Sequence, residues 1–338
     1  MLLKPAFLLL FAAQALAVEP GRTVALVFEP ASAADAARVG ELRRLTASAL
    51  TSRGLKVVRF EGTYDAPSLA EGRAALEEAR RASLADTQLR HAAATEALFT
   101  RALLGLKAGL GEASVLELNE VFRGLALTRL AQDDRALARG FVRTALFLDP
   151  KLTERDFMVS LPLRDLFREV SAGTSSLSVA PLRVESTPKG AEVYVNDELR
   201  GTTPLVIGDL RQGTHLVRIR KDGYYAHGWL VDLNGATTSR ADLKPLPGRA
   251  HAEELTRALR DPRRNVDPTF VDAAVAELRG LYRCTDLIIV TVKKTKAGWD
   301  LSGLVAPRKD DGRPVAASLV GDATLLTKVA GLTVTWLP

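Results

Sequence analysis

Hydrophobic and polar positions follow different periods in different parts of the chain, beginning with a strand, a helix and a second strand. Residues 23–28 form an apolar run rich in β-forming residues, and residues 55–60 form another. Ser32 and Asp35 have the spacing of a capping box at a helix start. Apolar residues then recur at helical spacing: Val39, Leu42, Thr46 and Ala49. This order predicts a parallel β-α-β half-domain over residues 22–63.

A helical period rich in Ala, Leu and Arg extends over residues 67–173 and predicts several amphipathic helices. Within it, small and apolar residues recur at a spacing that lets two helices approach closely: Phe122, Leu125, Ala126, Ala138, Val142, Ala145 and Pro150. In this pattern residues 119–150 resemble a tetratricopeptide repeat, with a turn at 132–134 and with Arg129 in place of a large aromatic residue. An ordinary α-hairpin explains the same pattern, and both interpretations imply packing or partner binding.

In the next part of the chain, a short polar linker is followed by a segment in which apolar and polar residues alternate. Residues 171–181 are small and polar, which predicts a linker. From residue 182 to 246, apolar and polar residues then alternate between turns, which predicts up to six short strands. Three residue pairs favour these turns: Pro188 and Gly190, Asn196 and Asp197, and Asp222 and Gly223. We expect a small antiparallel β-sandwich over residues 181–246.

The same stretch carries a set of residues at the spacing of a known family: Ser186, Pro188, Gly190, Ala191, Val193, Tyr194, Val195, Gly201, Thr202, Thr203, Pro204, Leu205, Leu210, Gly213, His215, Lys221, Gly223 and Tyr224. In these positions residues 182–246 resemble the PEGA domain family. Lys189 replaces the acidic residue of the naming motif, and the usual glycine near Asp197 is absent. The resemblance implies an extracytoplasmic β-sandwich that serves as an interaction module, and it brings no catalytic residues.

The last part of the chain mixes helix and strand patterns after a second linker at residues 245–248. Asp267 and Pro268 predict the start of a helix. Strands are predicted at 286–292, 299–305 and 314–320, followed by a helix at 322–330 and a strand at 332–336. In this order, residues 250–338 together with 23–60 resemble the amino-terminal α/β domain of the Tol-system β-propeller protein and its relatives.

This second resemblance predicts how the parts are arranged. Both chain ends are expected to form one envelope-type α/β domain, with strands 23–28 and 286–292 in the same sheet. The sandwich is expected to be an insertion on a helical arm, held out from that domain. The predicted fold class is multidomain α+β.

The amino terminus predicts the compartment. Lys4 precedes an apolar run at residues 6–13, and Ala15 and Ala17 form a small-residue cleavage signal. Residues 1–17 are therefore predicted to be a signal peptide cut after Ala17, and the protein to be periplasmic or secreted. An uncleaved anchor is the alternative, but the apolar run is shorter than the ~20 residues of a spanning helix. We expect no spanning segment after cleavage.

Composition narrows the function classes further. The chain has 338 residues, 47% hydrophobic and 25% charged, which is typical of folded domains. Its net charge of +6 is spread along the chain rather than clustered with aromatic residues, which argues against a nucleic-acid partner. Cys284 is the only cysteine, so no internal disulfide is possible.

The chain shows no pattern of residues that indicates catalysis. The histidines His91, His215, His227 and His251 lack metal-ligand spacing. Cys284 begins a predicted strand, which favours a buried structural thiol over a nucleophile. The acidic pairs at 133–134 and 310–311 lie in predicted turns. We expect no enzyme, no cofactor and no metal.

One group of residues suggests a ligand surface. Tyr225, His227 and Trp229 lie at period two, and they could form an aromatic platform for a glycan or a protein. The favoured alternative is that this face packs inward with Val231 and Leu233.

Together these patterns predict a non-catalytic exported scaffold or adaptor that binds envelope proteins through its PEGA and helical surfaces. A module that binds peptidoglycan or another cell-wall polymer is the first alternative, and a hydrolase is a distant one.

Overall fold

The chain folds into an α/β body, a helical segment and a β-sandwich in this computed structural model, which agrees with the predicted mixed α+β class. The structure describes residues 22–30, 36–60, 67–86, 88–157, 160–174, 177–261, 263–264, 266–294, 296, 298–307 and 313–320. The predicted signal peptide, the capping pair Ser32 and Asp35, the turn at 310–312, the helix at 322–330 and the strand at 332–336 lie outside these residues.

The amino-terminal segment forms the predicted β-α-β unit, which consists of β1 (Thr23–Pro30), α1 (Ala36–Ser52) and β2 (Lys56–Val58). The two strands are parallel, with Val24 opposite Val57. β2 is shorter than the predicted strand, because the chain leaves the sheet before Phe60. The backbone N–H of Phe60 donates instead to the carboxylate of Asp222 at 2.8 Å.

The helical segment contains five α-helices in its described residues: α2 (Pro67–Ala85), α3 (Ala92–Ala108), α4 (Val115–Ala131), α5 (Arg135–Leu148) and α6 (Leu161–Thr174). Each helix packs against the next along the chain. The predicted turn at 132–134 joins α4 to α5, and Asp134 caps α5 by accepting from the backbone N–H of Leu137. The likeness to a tetratricopeptide repeat stays a prediction.

The predicted linker at 171–181 is mostly absent, because secondary structure extends into it from both sides. Helix α6 ends only at Thr174, and the following strand begins at Val179. The hydroxyl of Ser171 donates to the carbonyl of Arg168, and that of Thr174 donates to the carbonyl of Ser171. These bonds accommodate small polar residues in the last helical turn.

The next segment forms a sandwich of seven strands: β3 (Val179–Thr187), β4 (Glu192–Val195), β5 (Glu198–Thr202), β6 (Leu205–Arg211), β7 (Gly213–Arg220), β8 (His227–Leu233) and β9 (Thr237–Asp242). One sheet has the order β6-β3-β9 and the other β5-β4-β7-β8. The prediction of a purely antiparallel sandwich is wrong, since β3 and β9 are parallel. Between β3 and β9 the chain passes through the other sheet, and β9 then returns to the first sheet running in the same direction as β3.

The carboxy-terminal segment completes the α/β body with α7 (Arg249–Arg260), α8 (Pro268–Tyr282), β10 (Asp286–Lys294), β11 (Gly298–Ala306) and β12 (Arg313–Val320). Asp267 caps α8 as predicted, accepting from the backbone N–H of Thr269. The five-stranded sheet has the order β12-β11-β10-β1-β2, and β10 pairs in parallel with β1. Strands 23–28 and 286–292 therefore share one sheet, as the sequence pattern required.

Helices cover both faces of this sheet. Val24, Leu26 and Ile288 pack against α1 on one face. Ala25, Leu287 and Ile289 pack against α7 and α8 on the other. This alternation along β1 and β10 explains why both strands read as continuous apolar runs.

The sandwich is not held out from the α/β body, which corrects the predicted arrangement. Both faces of β7 are buried: Val217 and Ile219 face the sandwich core, whereas Leu216 packs into the helical core. Glu192 of β4 also forms an ion pair with Arg59 of the body at 2.7 Å. The sandwich therefore lies between the helical segment and the body and contacts both.

A two-residue turn anchors the sandwich to the helices. Asn196 and Asp197 both have positive φ, as a tight hairpin turn between β4 and β5 requires. The amide of Asn196 donates to the carbonyl of Phe147 at 2.7 Å. Asp197 accepts from the backbone N–H of Val115 at 2.9 Å, which satisfies a free donor at the start of α4.

Glycine allows a second close approach between the same two parts. A Cβ atom on Gly111, before α4, would collide with the carbonyl of Ala226. A Cβ atom on Gly228 of β8 would collide with the carbonyl of Leu110. The backbones of the helical segment and the sandwich touch here, so both positions exclude any larger residue.

The Arg22–Asp286 ion pair gives a direct test of the joined chain ends. Asp286 is fully buried and accepts from Arg22 at 2.7 Å. Asp286→Ala is expected to lower the free energy of unfolding by about 3 kcal/mol, because it leaves a partly buried arginine without its partner. Asp272→Ala, which removes an exposed carboxylate of α8, should cost less than about 0.5 kcal/mol. Equal losses in urea denaturation would refute the role of this pair.

Candidate functional site

The main cleft lies between the α/β body and the sandwich and has a volume of about 570 Å³. Its walls come from the carboxyl end of β1, from α1 and α7, from the β3–β4 turn and from the end of β7. Ligands of open α/β sheets commonly bind beyond the carboxyl ends of parallel strands. The position of the cleft agrees with that rule, and the sandwich supplies the opposite wall.

The walls of the cleft are strongly basic. Three carboxylates line it, from Glu192, Asp222 and Glu253. Seven cationic side chains line it as well: Arg43, Arg59, Lys189, Arg220, Lys221, Arg249 and Arg257. The described walls therefore carry four more positive than negative charges.

Each carboxylate of the cleft already has a cationic partner. Glu192 accepts a hydrogen bond from Arg59. Burial raises the pKa of Glu192, but the arginine lowers it by more, so the pKa is below its usual value and the group stays ionised. Asp222 lies 3.3 Å from Arg43. Glu253 lies 2.8 Å from Arg249. These pairs help to fix the shape of the cleft.

Lys221 differs from the other cations because it is largely buried without a partner. Its side chain forms no ion pair or hydrogen bond within the described part of the chain. Burial lowers its pKa to about 8, and the nearby Arg249 and Arg43 lower it as well. At neutral pH Lys221 is a cation in a poorly solvated position.

The predicted aromatic group is divided between two cores. Tyr225 lies before β8 and packs against the core of the α/β body. Trp229 is half-buried and packs against the sandwich core with Val231 and Leu233, so it is the one residue of the three that follows the inward-packing alternative. His227 is exposed at the start of β8, and its ring centroid lies 5.1 Å from that of Trp229. No platform of three residues is formed.

The other singled-out residues lie away from the cleft. His91 and His251 are exposed beside Asp86 and Glu277, as solvated helix residues should be. Cys284 packs against the body core, where burial raises its pKa to about 11 and leaves the thiol unreactive.

The sandwich segment belongs to a known domain family. Its seven strands form two sheets around one core, with cross-strand turns at the positions that the sequence indicated. Residues 179–245 match the PEGA domain family. This PEGA domain covers a minority of the chain, and it is typical of extracellular or periplasmic proteins that use it as a protein-binding module.

Comparison of the whole chain with curated proteins and with solved structures found no relative. No curated protein and no solved structure matches the chain. Within the described residues, no helix is long and apolar enough to cross a membrane. The same residues hold no group of three or more histidine, cysteine or acidic side chains that is placed to bind a metal ion.

Sequence reasoning missed the cleft, because its cations lie far apart along the chain. The run of Arg220, Lys221 and Asp222 before a tight turn was the available signal. By itself such a run indicates only a solvated turn. Its meaning depends on Arg43 and Arg249, which the joined chain ends bring beside it.

Lys221→Met tests the buried charge of the cleft. Because the pKa of Lys221 is lower in the folded than in the unfolded protein, the charge destabilises the fold below pH 8. The variant is expected to raise the free energy of unfolding at pH 7 by about 3 kcal/mol. This gain should disappear as the pH rises to about 10.5, where lysine is neutral in both states. Urea denaturation across this range measures it.

Lys107→Met, at an exposed position of α3, is the matched control and should change stability by less than about 0.5 kcal/mol. A loss of stability in Lys221→Met, or a gain that does not depend on pH, would contradict this account of Lys221.

Proposed function

We propose that the chain is an exported, non-catalytic protein of the cell envelope that acts as an interaction scaffold. The PEGA domain supports an extracellular or periplasmic protein-binding role. The signal pattern of residues 1–17 agrees with export. In the described walls of the cleft, each of the three carboxylates is paired with an arginine.

The observation that carries this proposal is the open face of the β6-β3-β9 sheet. The other sheet of the sandwich is covered by the helical segment, whereas this one presents its outer face to solvent. Val206 is 62% exposed there and lies opposite Arg183, and Val179 is 58% exposed at the start of β3, opposite Arg211. Each exposed valine therefore lies opposite an arginine, and apolar and arginine side chains are both common in surfaces that bind other proteins.

The same sheet also offers free edges. β6 and β9 are its outer strands, and each pairs only with β3 among the described strands. A sheet edge carries unpaired backbone donors and acceptors, and an extended segment of another protein can add to it as a further strand. The helical segment and the body hold this domain in place through Leu216 and Glu192 of the other sheet.

Crosslinking in intact cells tests the open face. A photoreactive amino acid at Val206 is expected to capture a small set of envelope proteins, because a partner on this sheet would cover that position. The same amino acid at Leu84 is the matched control, since Leu84 is an apolar residue of α2 that is 73% exposed. The proposal fails if Val206 gives no adduct, or if both positions capture the same proteins.

Binding of peptidoglycan is the second candidate, and it is favoured by the contact of the exposed His227 with Trp229. A glycan-binding role predicts that the protein sediments with purified peptidoglycan and that His227→Ala reduces the bound fraction severalfold. His91→Ala, at another exposed histidine, is the control. Sedimentation that is equal in both variants and in the unchanged protein would exclude this pair as a glycan site.

A further inference from the structure

We infer that the basic cleft between the α/β body and the PEGA domain binds a short acidic peptide segment that carries apolar side chains, presented by a partner protein. This inference rests on the proposed scaffold function and assigns one binding site to it. The site is distinct from the open sheet face, because the cleft is lined by α1, α7, the β3–β4 turn and the end of β7.

The first argument is the unused positive charge. Three cations of the cleft, Lys189, Lys221 and Arg257, have no carboxylate partner within the described residues. The three carboxylates present are each held by an arginine. The cleft therefore has an excess of positive charge that its own carboxylates do not balance, and a ligand with several carboxylates would balance it.

The second argument is the position of Lys221. A lysine that is largely buried without a partner destabilises the fold, and its lowered pKa reflects that cost. A methionine would fill a similar volume without the charge. Groups that oppose stability in this way are most often found at binding sites, where a ligand supplies the missing interaction.

The third argument concerns the size and chemistry of the ligand. Apolar side chains contribute to the walls, among them Phe28, Val39 and Pro188. A volume of about 570 Å³ greatly exceeds that of a single inorganic anion and lies in the range of organic ligands. An inorganic anion would leave the apolar surface unused, whereas apolar side chains of a peptide would cover it.

The fourth argument is the distribution of the unpaired cations. Lys189 lies in the β3–β4 turn, Lys221 follows β7, and Arg257 belongs to α7. The backbone N–H of Gly190, beside Lys189, already donates to the carbonyl of Thr203 and is not free to bind a phosphate. Cations on three separate elements suit carboxylates spaced along a peptide better than one compact anion.

Fluorescence anisotropy with a labelled peptide tests the inference. The probe is a hexapeptide of alternating Glu and Leu, and the control peptide carries Gln in place of Glu. The full chain is expected to bind the acidic peptide roughly tenfold more tightly than the control peptide, because the attraction is between charges. This preference should weaken as the salt concentration rises.

Matched variants locate the binding. Lys221→Met should weaken binding of the acidic peptide at least about fivefold, whereas Lys107→Met should leave it within about twofold. Because Lys221→Met is expected to be more stable than the unchanged protein, its loss of binding cannot be ascribed to unfolding. Equal binding by the two variants would overturn the inference. So would full displacement of the peptide by an equal concentration of inorganic phosphate, or binding of anionic phospholipid vesicles but not of the peptide.

The two proposals fail separately. If the photoreactive residue at Val206 captures envelope proteins but Lys221→Met binds the acidic peptide as tightly as the unchanged protein, the scaffold function stands and the cleft site is wrong. If the peptide depends on Lys221 but Val206 captures nothing, the cleft binds its ligand and the open sheet face has no partner.

Discussion

The parallel pairing of β1 with β10 is the contact on which the remaining structure depends, since it joins residues as far apart as Arg22 and Asp286, 264 positions along the chain. The first end supplies only two strands, too few for a stable sheet, and the second supplies the other three. Together they form five strands with helices on both faces. The entropic cost of closing such a loop grows only with the logarithm of its length, so a long insertion between the two ends is tolerated.

The same pairing fixes where the insertion lies. The chain leaves the α/β body at Phe60 and returns at Leu246, and both residues pack in one core of the body. The N–H of Phe60 donates to Asp222, and that of Leu246 donates to the carbonyl of Gly223. The turn at Asp222 and Gly223 therefore holds one end of the PEGA domain against the body. Leu216 holds the β5-β4-β7-β8 sheet of the same domain against the helices. The cleft arises because the domain is held at both places.

Local patterns predicted local structure well. The cap at Asp267, the turn at Asn196 and the strands of both chain ends are encoded by neighbouring residues, so the sequence was enough to place them. The linker at 171–181 failed because small polar residues can either end a helix or continue it by bonding to its carbonyls. Leu216 was the sequence signal for the contact between the sandwich and the helical segment. An apolar residue on the outer face of a strand predicts that another part of the chain packs there, but it does not identify that part.

The charges of the cleft separate into two groups with different physical roles. Arg59, Arg43 and Arg249 neutralise the three carboxylates. The pairs of Arg59 with Glu192 and of Arg43 with Asp222 join the body to the PEGA domain, whereas Arg249 and Glu253 both belong to α7. If stability alone had shaped the cleft, all of its remaining cations would lie in solvent, as the exposed side chains of Lys189 and Arg257 do. Lys221 instead lies largely buried beside Arg249 and Arg43, where both burial and like charge oppose its protonation. A paired framework around an unpaired buried cation is the arrangement expected of a site preorganised for an anionic ligand, because only the missing partner removes the cost.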